Sequence, residues 1–252
     1  GLFAIGQSSP NKWYFGYQSG LNFSQGDNPY VIRGQTGETK QKGIQNEWMN
    51  VENELSTVMS DDEGRVLFYS DGSLIWDNHY HEVKVLLQSS NSHAQILSVK
   101  IPNKDDEYLL IHPRGSGNNV TGWDFTQITA EKNERINVIQ SNKALLVGNY
   151  MQAATIVPHC NGTDYWAVFH GAGLKSRQLY ESVLIDSSLT FKKVVSNGTY
   201  ALSVSNVKNR FLYSSIGIMN VNHKHNQLAT TFFKNGKLGI CEIVNFNNKT
   251  GS

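Results

Sequence analysis

The feature that most constrains the fold of this chain is a pattern of strand, polar turn and strand that occurs four times. The four copies span residues 56–77, 92–115, 152–173 and 215–246. Each begins with a short apolar strand and continues into a turn rich in Asp, Asn and Gly, with the sequences DDEG, NKDD, CNGTD and NHKHN. Asn and Asp side chains bond to their own backbone in such turns, and Gly supplies a positive φ. A second strand with aromatic or β-branched residues follows, then a third, outer strand and a looser connection.

This repeat predicts an all-β fold and, within that class, a β-propeller. A meander of three or four strands cannot bury both of its faces alone, whereas copies stacked face to face can. Radial stacking of such sheets gives a propeller, with blades of about 40–50 residues that lengthen where loops are inserted. A β-sandwich with irregular strands is the alternative, but it gives no reason for the same order of strands and turns in every copy.

The opening segment NKWYFGYQSGLNF, Asn11–Phe23, predicts a further strand near the start of the chain. It gathers three adjacent aromatic residues between glycines, which indicates a buried strand. Together with strands near VIRG and EWMN, we interpret it as an initial blade or as the strand that closes the last blade, because propellers close their ring to remove free sheet edges. The four copies and this segment predict about five blades, which makes the chain a candidate fragment of a larger ring.

Length and charge narrow the class of protein. At 252 residues the chain fits one domain of this kind. The 22 basic and 21 acidic residues balance and no basic run stands out, so we expect no nucleic-acid partner. No apolar stretch approaches the roughly 18 residues of a membrane helix, so we expect no membrane insertion.

The first seven residues, GLFAIGQ, predict export. They are apolar and small, and a polar segment follows, as at the end of a secretory signal peptide; a short edge strand is the alternative. We therefore assign residues 1–7 to a signal remnant and residues 8–252 to the propeller domain. The two cysteines, Cys160 and Cys241, are too few for a disulfide framework, and we expect two unpaired, buried thiols, with a single bridge between them as the alternative.

Several of these segments resemble a family of secreted propeller proteins of Bacteroidota, often large surface proteins with PKD-type repeats and gliding-motility-like annotation. WYFGYQSGLNF is similar to the family's opening motif, and GRVLFYSDGSLIWD, NGTDYWAVFHG and the tail LATTFFKNGKLGICEIVNFNNKTG resemble its later motifs. The sequence VNHKHN stands where the family usually has S-P-D-G. The resemblance implies a β-propeller at the cell surface or secreted, with further domains in the same polypeptide. Because its motifs mark strands and turns, it implies architecture and location rather than an activity.

Motifs for chemistry are weak in this sequence. The pairs His79 and His81, and His223 and His225, have a spacing that could chelate a metal, but no third ligand accompanies them, so we expect solvated histidines and no metal. There is no GxSxG elbow and no cofactor motif. Two acidic runs, 61–63 and 105–107, could supply paired carboxylates or a calcium site, but both fall in hairpin turns, where charges are usually solvated.

The propeller interpretation groups four polar residues into a candidate ligand site. Asp71, His112 and His170 follow the second strands of successive copies, and Arg114 lies just beyond His112. Since the second strand of a blade ends near the start of the first, these residues would share one face of the ring, where such folds bind ligands. The alternative is that they cap strands and bond to neighbouring blades.

These observations predict a secreted or cell-surface β-propeller module with a non-enzymatic scaffold or recognition role toward a glycan or a protein. The alternative is a polysaccharide hydrolase or lyase with its site on the axial face. Converging acids at the strand ends would favour the enzyme. The sequence provides only Asp71, His112 and His170 there, which favours binding.

Overall fold

A computed structural model describes residues 12–15, 19–22, 30–32, 57–70, 72, 74–79, 81–83, 89–90, 95–116, 119–131, 135–171, 179–198, 213–234 and 238–252. Within these ranges the chain forms strands joined by turns, and no helix. The predicted all-β class is therefore confirmed. No helix in this part of the protein has the length and apolar character needed to cross a membrane. The proposed signal remnant at residues 1–7 lies outside the described residues.

The opening segment forms a small antiparallel sheet rather than one strand. Its strands, in the order β1-β2-β3, are β1 (Lys12–Phe15), β2 (Ser19–Asn22) and β3 (Tyr30–Ile32). In the β1–β2 hairpin Lys12 pairs with Asn22 and Phe15 with Ser19. The prediction of a single strand across Asn11–Phe23 was wrong, because its two halves pair with each other. The EWMN segment lies outside the described residues.

Copy 1 forms an antiparallel meander of four strands. They are β4 (Thr57–Ser60), β5 (Val66–Ser70), β6 (Ile75–Asp77) and β7 (Glu82–Val83), paired in chain order. A two-residue strand, β8 (Ser89–Ser90), follows and pairs in parallel with β10 of the next copy.

Copies 2 and 3 share one sheet. Besides β8, this sheet contains β9 (Leu97–Lys100), β10 (Glu107–Ser116), β11 (Asn119–Thr129), β12 (Asn137–Pro158), β13 (Tyr165–Gly171), β14 (Leu179–Ile185) and β15 (Lys193–Asn197). β12 pairs with β11 through residues 137–150 and with β13 through residues 150–158. The first part of β12 is the outermost strand of copy 2, and it continues directly into the second part, which is the first strand of copy 3. The looser connection expected there was wrong.

Copy 4 forms a three-stranded meander of β16 (Tyr213–Val221), β17 (Gln227–Lys234) and β18 (Leu238–Asn245). The predicted turns occur in all four copies, and an Asn or Asp side chain accepts backbone amides as expected in copies 1, 3 and 4. Asp61 Oδ1 accepts the amides of Glu63 and Arg65, and Asn161 Oδ1 accepts those of Thr163 and Asp164. The turns at Gly64 and Gly162 need a positive φ, 76° and 79°.

The first strands of successive meanders lie next to one another in chain order: β1 contacts β4, β4 contacts β9, β9 contacts β12, and β12 contacts β16. Gln95, just before β9, joins three of the copies. Its Oε1 accepts the amides of Ala154, at 3.1 Å, and Met219, at 3.0 Å. Its own backbone amide donates to the carbonyl of Gln152 at 3.0 Å. The starts of copies 2, 3 and 4 are therefore bonded together through one side chain.

The core lies between the meanders, so that β13 is buried on both faces. Ala167 and Phe169 belong to a large cluster that also includes residues of copies 1 and 2. The alternating residues Trp166 and Val168 belong to a second cluster, shared with copy 4. Because successive side chains of a strand point to opposite faces, one strand contributes to both clusters. Each face of copy 3 is thus covered by a different neighbour.

The cysteines differ from the prediction in one respect. Cys160 and Cys241 are unpaired, as expected, but both are exposed rather than buried. Cys160 belongs to the turn of copy 3, and Cys241 is on β18, whose ladder pairs it with Thr231. Neither position faces a core cluster.

Candidate functional site

His112 is fully buried within β10, where neighbouring strands hold it. It lies directly opposite Asp124 of β11 in the antiparallel ladder. Its Nε2 lies 3.3 Å from Oγ1 of Thr126, which also accepts the backbone amide of Asn142. Burial lowers the pKa of His112 to about 4, against a smaller opposing effect of the Pro113 carbonyl. The imidazole is therefore neutral at pH 7.

Arg114 lies two residues beyond His112 and therefore on the same face of β10. Its Nη2 is 3.1 Å from Oδ1 of Asp124 and donates to the carbonyl of Leu146 at 2.9 Å. A Cβ atom at Gly122, opposite Arg114, would come within 2.5 Å of that nitrogen, so glycine leaves the room that the guanidinium occupies. Burial raises the pKa of Asp124, while Arg114 lowers it. Arg114 thus connects three strands of copy 2.

His170 belongs to a buried polar cluster that joins copies 3 and 4. Its Nδ1 lies 2.8 Å from the carbonyl oxygen of Gly171, which makes Nδ1 the protonated nitrogen. Its ring packs edge-on against Tyr180, with centroids 4.8 Å apart, and its Nε2 is 4.0 Å from Oε2 of Glu242. The Tyr180 hydroxyl donates to that carboxylate at 2.7 Å and lies 3.2 Å from Oγ1 of Thr230.

Burial and the Glu242 carboxylate have opposite effects on the pKa of His170 and the same effect on the pKa of Tyr180. Burial lowers the pKa of His170, whereas the Gly171 carbonyl and the Glu242 carboxylate raise it. The pKa of Tyr180 is raised, first by burial and then by Glu242. The cluster is therefore a neutral imidazole and a neutral phenol arranged around one carboxylate, and it ties β13 and β14 to β17 and β18.

The predicted site residues that are described have different neighbours. His112 and Arg114 contact Thr126, Asp124 and Leu146 of copy 2, whereas the His170 ring packs on Tyr180 and lies 4.0 Å from Glu242 of copy 4. Asp71 lies outside the described residues. In the ladders, Ser70 and Ile111 face the first residues of β4 and β9, and Phe169 faces Ala154 of β12. His112 and His170 lie within β10 and β13, and their contacts are with adjacent strands and, for His170, with copy 4.

An open pocket lies elsewhere, between the hairpin turns of copies 1 and 2. It encloses about 220 Å³ and is called the acidic pocket below. Both acidic runs noted in the sequence reach it, with the carboxylates of Asp61, Asp62, Glu63, Asp105 and Asp106. Arg65 and Lys100 are its cations, and Tyr108 lines it beside Leu67 and Ala130. The position of each run in a hairpin turn predicts solvated charges. The missed signal is that they occupy the same turn of consecutive copies.

The candidate metal ligands remain apart. Among the described residues, no group of three or more His, Cys, Asp or Glu side chains could hold a metal ion. The rings of His79 and His81 are 6.1 Å apart, and Nδ1 of the exposed His81 lies 3.1 Å from the buried Asp77 carboxylate. Asp77 also accepts the backbone amides of both histidines, which fixes this turn.

Acidification is expected to destabilise the fold through His112. Unfolded histidine titrates near pH 6.5, whereas folded His112 titrates near pH 4. The unfolded state therefore takes up the proton first, and stability falls as the pH drops from 6.5 toward 4, by about 2 kcal/mol at pH 5. Urea unfolding at several pH values measures this loss. His112→Gln keeps a polar partner for Thr126 without a titrating ring, so its stability should fall less. Equal slopes for both proteins would contradict the prediction, and the comparison cancels the opposite effect of Asp124.

No protein family, no curated protein and no solved structure matches this chain. The resemblance to secreted propeller proteins of Bacteroidota therefore stays a prediction from the sequence motifs.

Proposed function

We propose that this chain is a β-propeller of about five blades, a whole ring or part of a larger one. The observation that carries the proposal is the side-by-side order of the first strands β1, β4, β9, β12 and β16. In a propeller the first strands of successive blades surround the axis in chain order. The two-sided burial of β13 supports the same arrangement, because an inner blade is covered by a neighbour on each face.

The proposed role is recognition of a glycan or a protein, without catalysis, by an exported or cell-surface module of the Bacteroidota type described above. Polar side chains in contact with neighbouring strands and sheets support a rigid scaffold, as with His112, Arg114 and His170. Hairpin turns on such a scaffold present side chains to solvent, where binding residues concentrate. The acidic pocket, formed by two such turns, supports binding at the ends of the strands.

Binding and turnover can be separated with one protein preparation. We expect the purified chain to retain a ligand on a glycan array or in a pull-down of surface proteins, and to release no reducing ends from polysaccharides. Release of reducing ends that Asp71→Ala or His170→Ala abolishes would contradict the recognition role and support a hydrolase or lyase.

The architecture has its own test. An experimental structure should contain the five meanders around a common axis, with β1, β4, β9, β12 and β16 innermost. Two layered sheets facing each other would contradict the propeller.

A further inference from the structure

We propose that the acidic pocket binds the side chain of a lysine or arginine residue presented by a partner protein, an inference that rests on the recognition role proposed above. The pocket lies between the β4–β5 turn of copy 1 and the β9–β10 turn of copy 2. Its ligand is inferred from three features: a hydroxyl that makes no hydrogen bond to the described residues, an excess of carboxylates over cations among the described lining residues, and an apolar lining.

Tyr108 is the unpaired group. Its side chain is only 4% exposed, and its ring packs edge-on against Phe68 at 5.7 Å between centroids. Within the described part of the chain its hydroxyl makes no hydrogen bond, although the residue lines the pocket. The carboxylates of Asp106, Asp62 and Asp61 act together with burial to raise its pKa to about 12. A neutral phenol oxygen, held among carboxylates, thus faces a space without a partner.

The charges of the pocket are only partly balanced. Arg65 pairs with both Asp61 and Glu63, with its Nη2 2.7 Å from the Asp61 carboxylate. Asp62, Asp105 and Asp106 make no side-chain hydrogen bond or ion pair among the described residues, and Lys100 is the other cation of the lining. Five carboxylates against two cations leave a formal charge of −3. Such a site favours a cationic ligand, and more strongly at low salt because exposed charges are screened.

Hydrogen-bonding capacity points to the same chemistry. Ionised carboxylates only accept, and the phenol oxygen of Tyr108 can also accept. An ammonium group brings three donors and a guanidinium five, with no acceptor to desolvate. The grouping does not qualify as a metal site.

The apolar lining distinguishes a basic side chain from other cations. Leu67 and Ala130 are buried and line the pocket beside the ring of Tyr108. Lysine and arginine bury their methylene stems against apolar surface while the charged head stays among polar groups. A space of about 220 Å³ is smaller than the usual pocket for a drug-sized ligand and fits one side chain. An amino sugar carries the charge but lacks the stem.

The test is a titration of the ¹⁵N-labelled chain with small probes, in which the amide chemical shifts report binding. Nα-acetyl-arginine methylamide and Nα-acetyl-lysine methylamide are expected to give saturable shifts around Asp62, Asp106 and Tyr108. Nα-acetyl-norleucine methylamide, which has the stem without the charge, should give none. Replacing both Asp62→Asn and Asp106→Asn should weaken binding about tenfold. Glu82→Gln, which removes an exposed carboxylate on β7, is the matched control and should leave binding unchanged.

A second variant isolates the hydroxyl. Tyr108→Phe keeps the ring contact with Phe68 and should weaken binding about three- to tenfold at an unchanged melting temperature. The proposal would be overturned if Nα-acetyl-norleucine methylamide bound as tightly as the two basic probes. It would also be overturned if the Asp replacements left the affinity for the basic probes unchanged. Preferential binding of chito-oligosaccharide amines or of Ca²⁺ in the pocket would also overturn it. If neither basic probe binds but the array or pull-down retains a ligand, this inference fails and the recognition role stands. If nothing is retained either, both fail.

Discussion

Trp123→Ala is expected to lower the free energy of unfolding by about 3–5 kcal/mol. Trp123 of β11 is fully buried, and its ring lies 5.0 Å from that of Phe169 on β13. The contact joins copies 2 and 3, so removing the indole leaves a cavity between two meanders rather than at an edge. Equilibrium unfolding in urea, followed by far-ultraviolet circular dichroism, measures the loss.

Trp123→Phe is the matched control. Within the described residues the indole N–H of Trp123 finds no acceptor, so phenylalanine keeps much of the ring contact and removes an unpaired buried donor. We expect a loss of less than about 2 kcal/mol. A cost of Trp123→Ala below about 1 kcal/mol would show that copies 2 and 3 do not share a packed core.

Gln95→Leu is expected to cost about 3 kcal/mol, although it replaces a polar residue by an apolar one of similar size. Its Oε1 accepts the amides of Ala154 and Met219, which the substitution would leave without that partner. Each unsatisfied, partly buried amide costs about 1–3 kcal/mol. Because these amides belong to copies 3 and 4, thermal unfolding of the variant reports on the junction of three meanders.

Gln95→Glu provides the control for this junction. The carboxylate keeps an oxygen for both amides, and it replaces the long bond from Nε2 to the carbonyl of Met219, at 3.5 Å, by a contact between two oxygens. It should recover more than half of the stability lost in Gln95→Leu. If both variants are as stable as the wild type, the first strands are not joined through this side chain.

The sequence predicted the hairpins well because their causes are local. The turn of copy 1 follows from Asp61, whose carboxylate accepts two nearby amides, and from Gly64, which takes a positive φ. The turn of copy 3 follows from Asn161 and Gly162 in the same way. The strand predictions failed where the pairing of a strand depended on the segment that follows it in the chain. The pairing of β1 with β2 and the continuity of β12 depend on the segment that follows in the chain, which the turn motifs of the four copies do not indicate.

The contacts of the candidate site residues could not be predicted, for a related reason. The repeat placed His112 and His170 at the ends of second strands, and the structure places them within β10 and β13. The repeat could not indicate that His112 would contact Thr126, or that His170 would lie beside Tyr180 and Glu242. The acidic pocket was missed because each acidic run, taken alone, looks like a solvated turn. Only the approach of two turns gives Tyr108 its carboxylate neighbours.

The amino-acid sequence by itself determined the all-β class, the order of strand and turn within each copy, and the conformation of the turns. Those features depend on hydrogen bonds, dihedral preferences and side-chain alternation within a few residues. The tertiary structure alone decided which copies share a sheet, which polar groups are bonded across copies, and where an open, negatively charged pocket remains. These depend on contacts such as Gln95 with Met219, 124 residues apart, whose free energy is gained only when separate hairpins pack together.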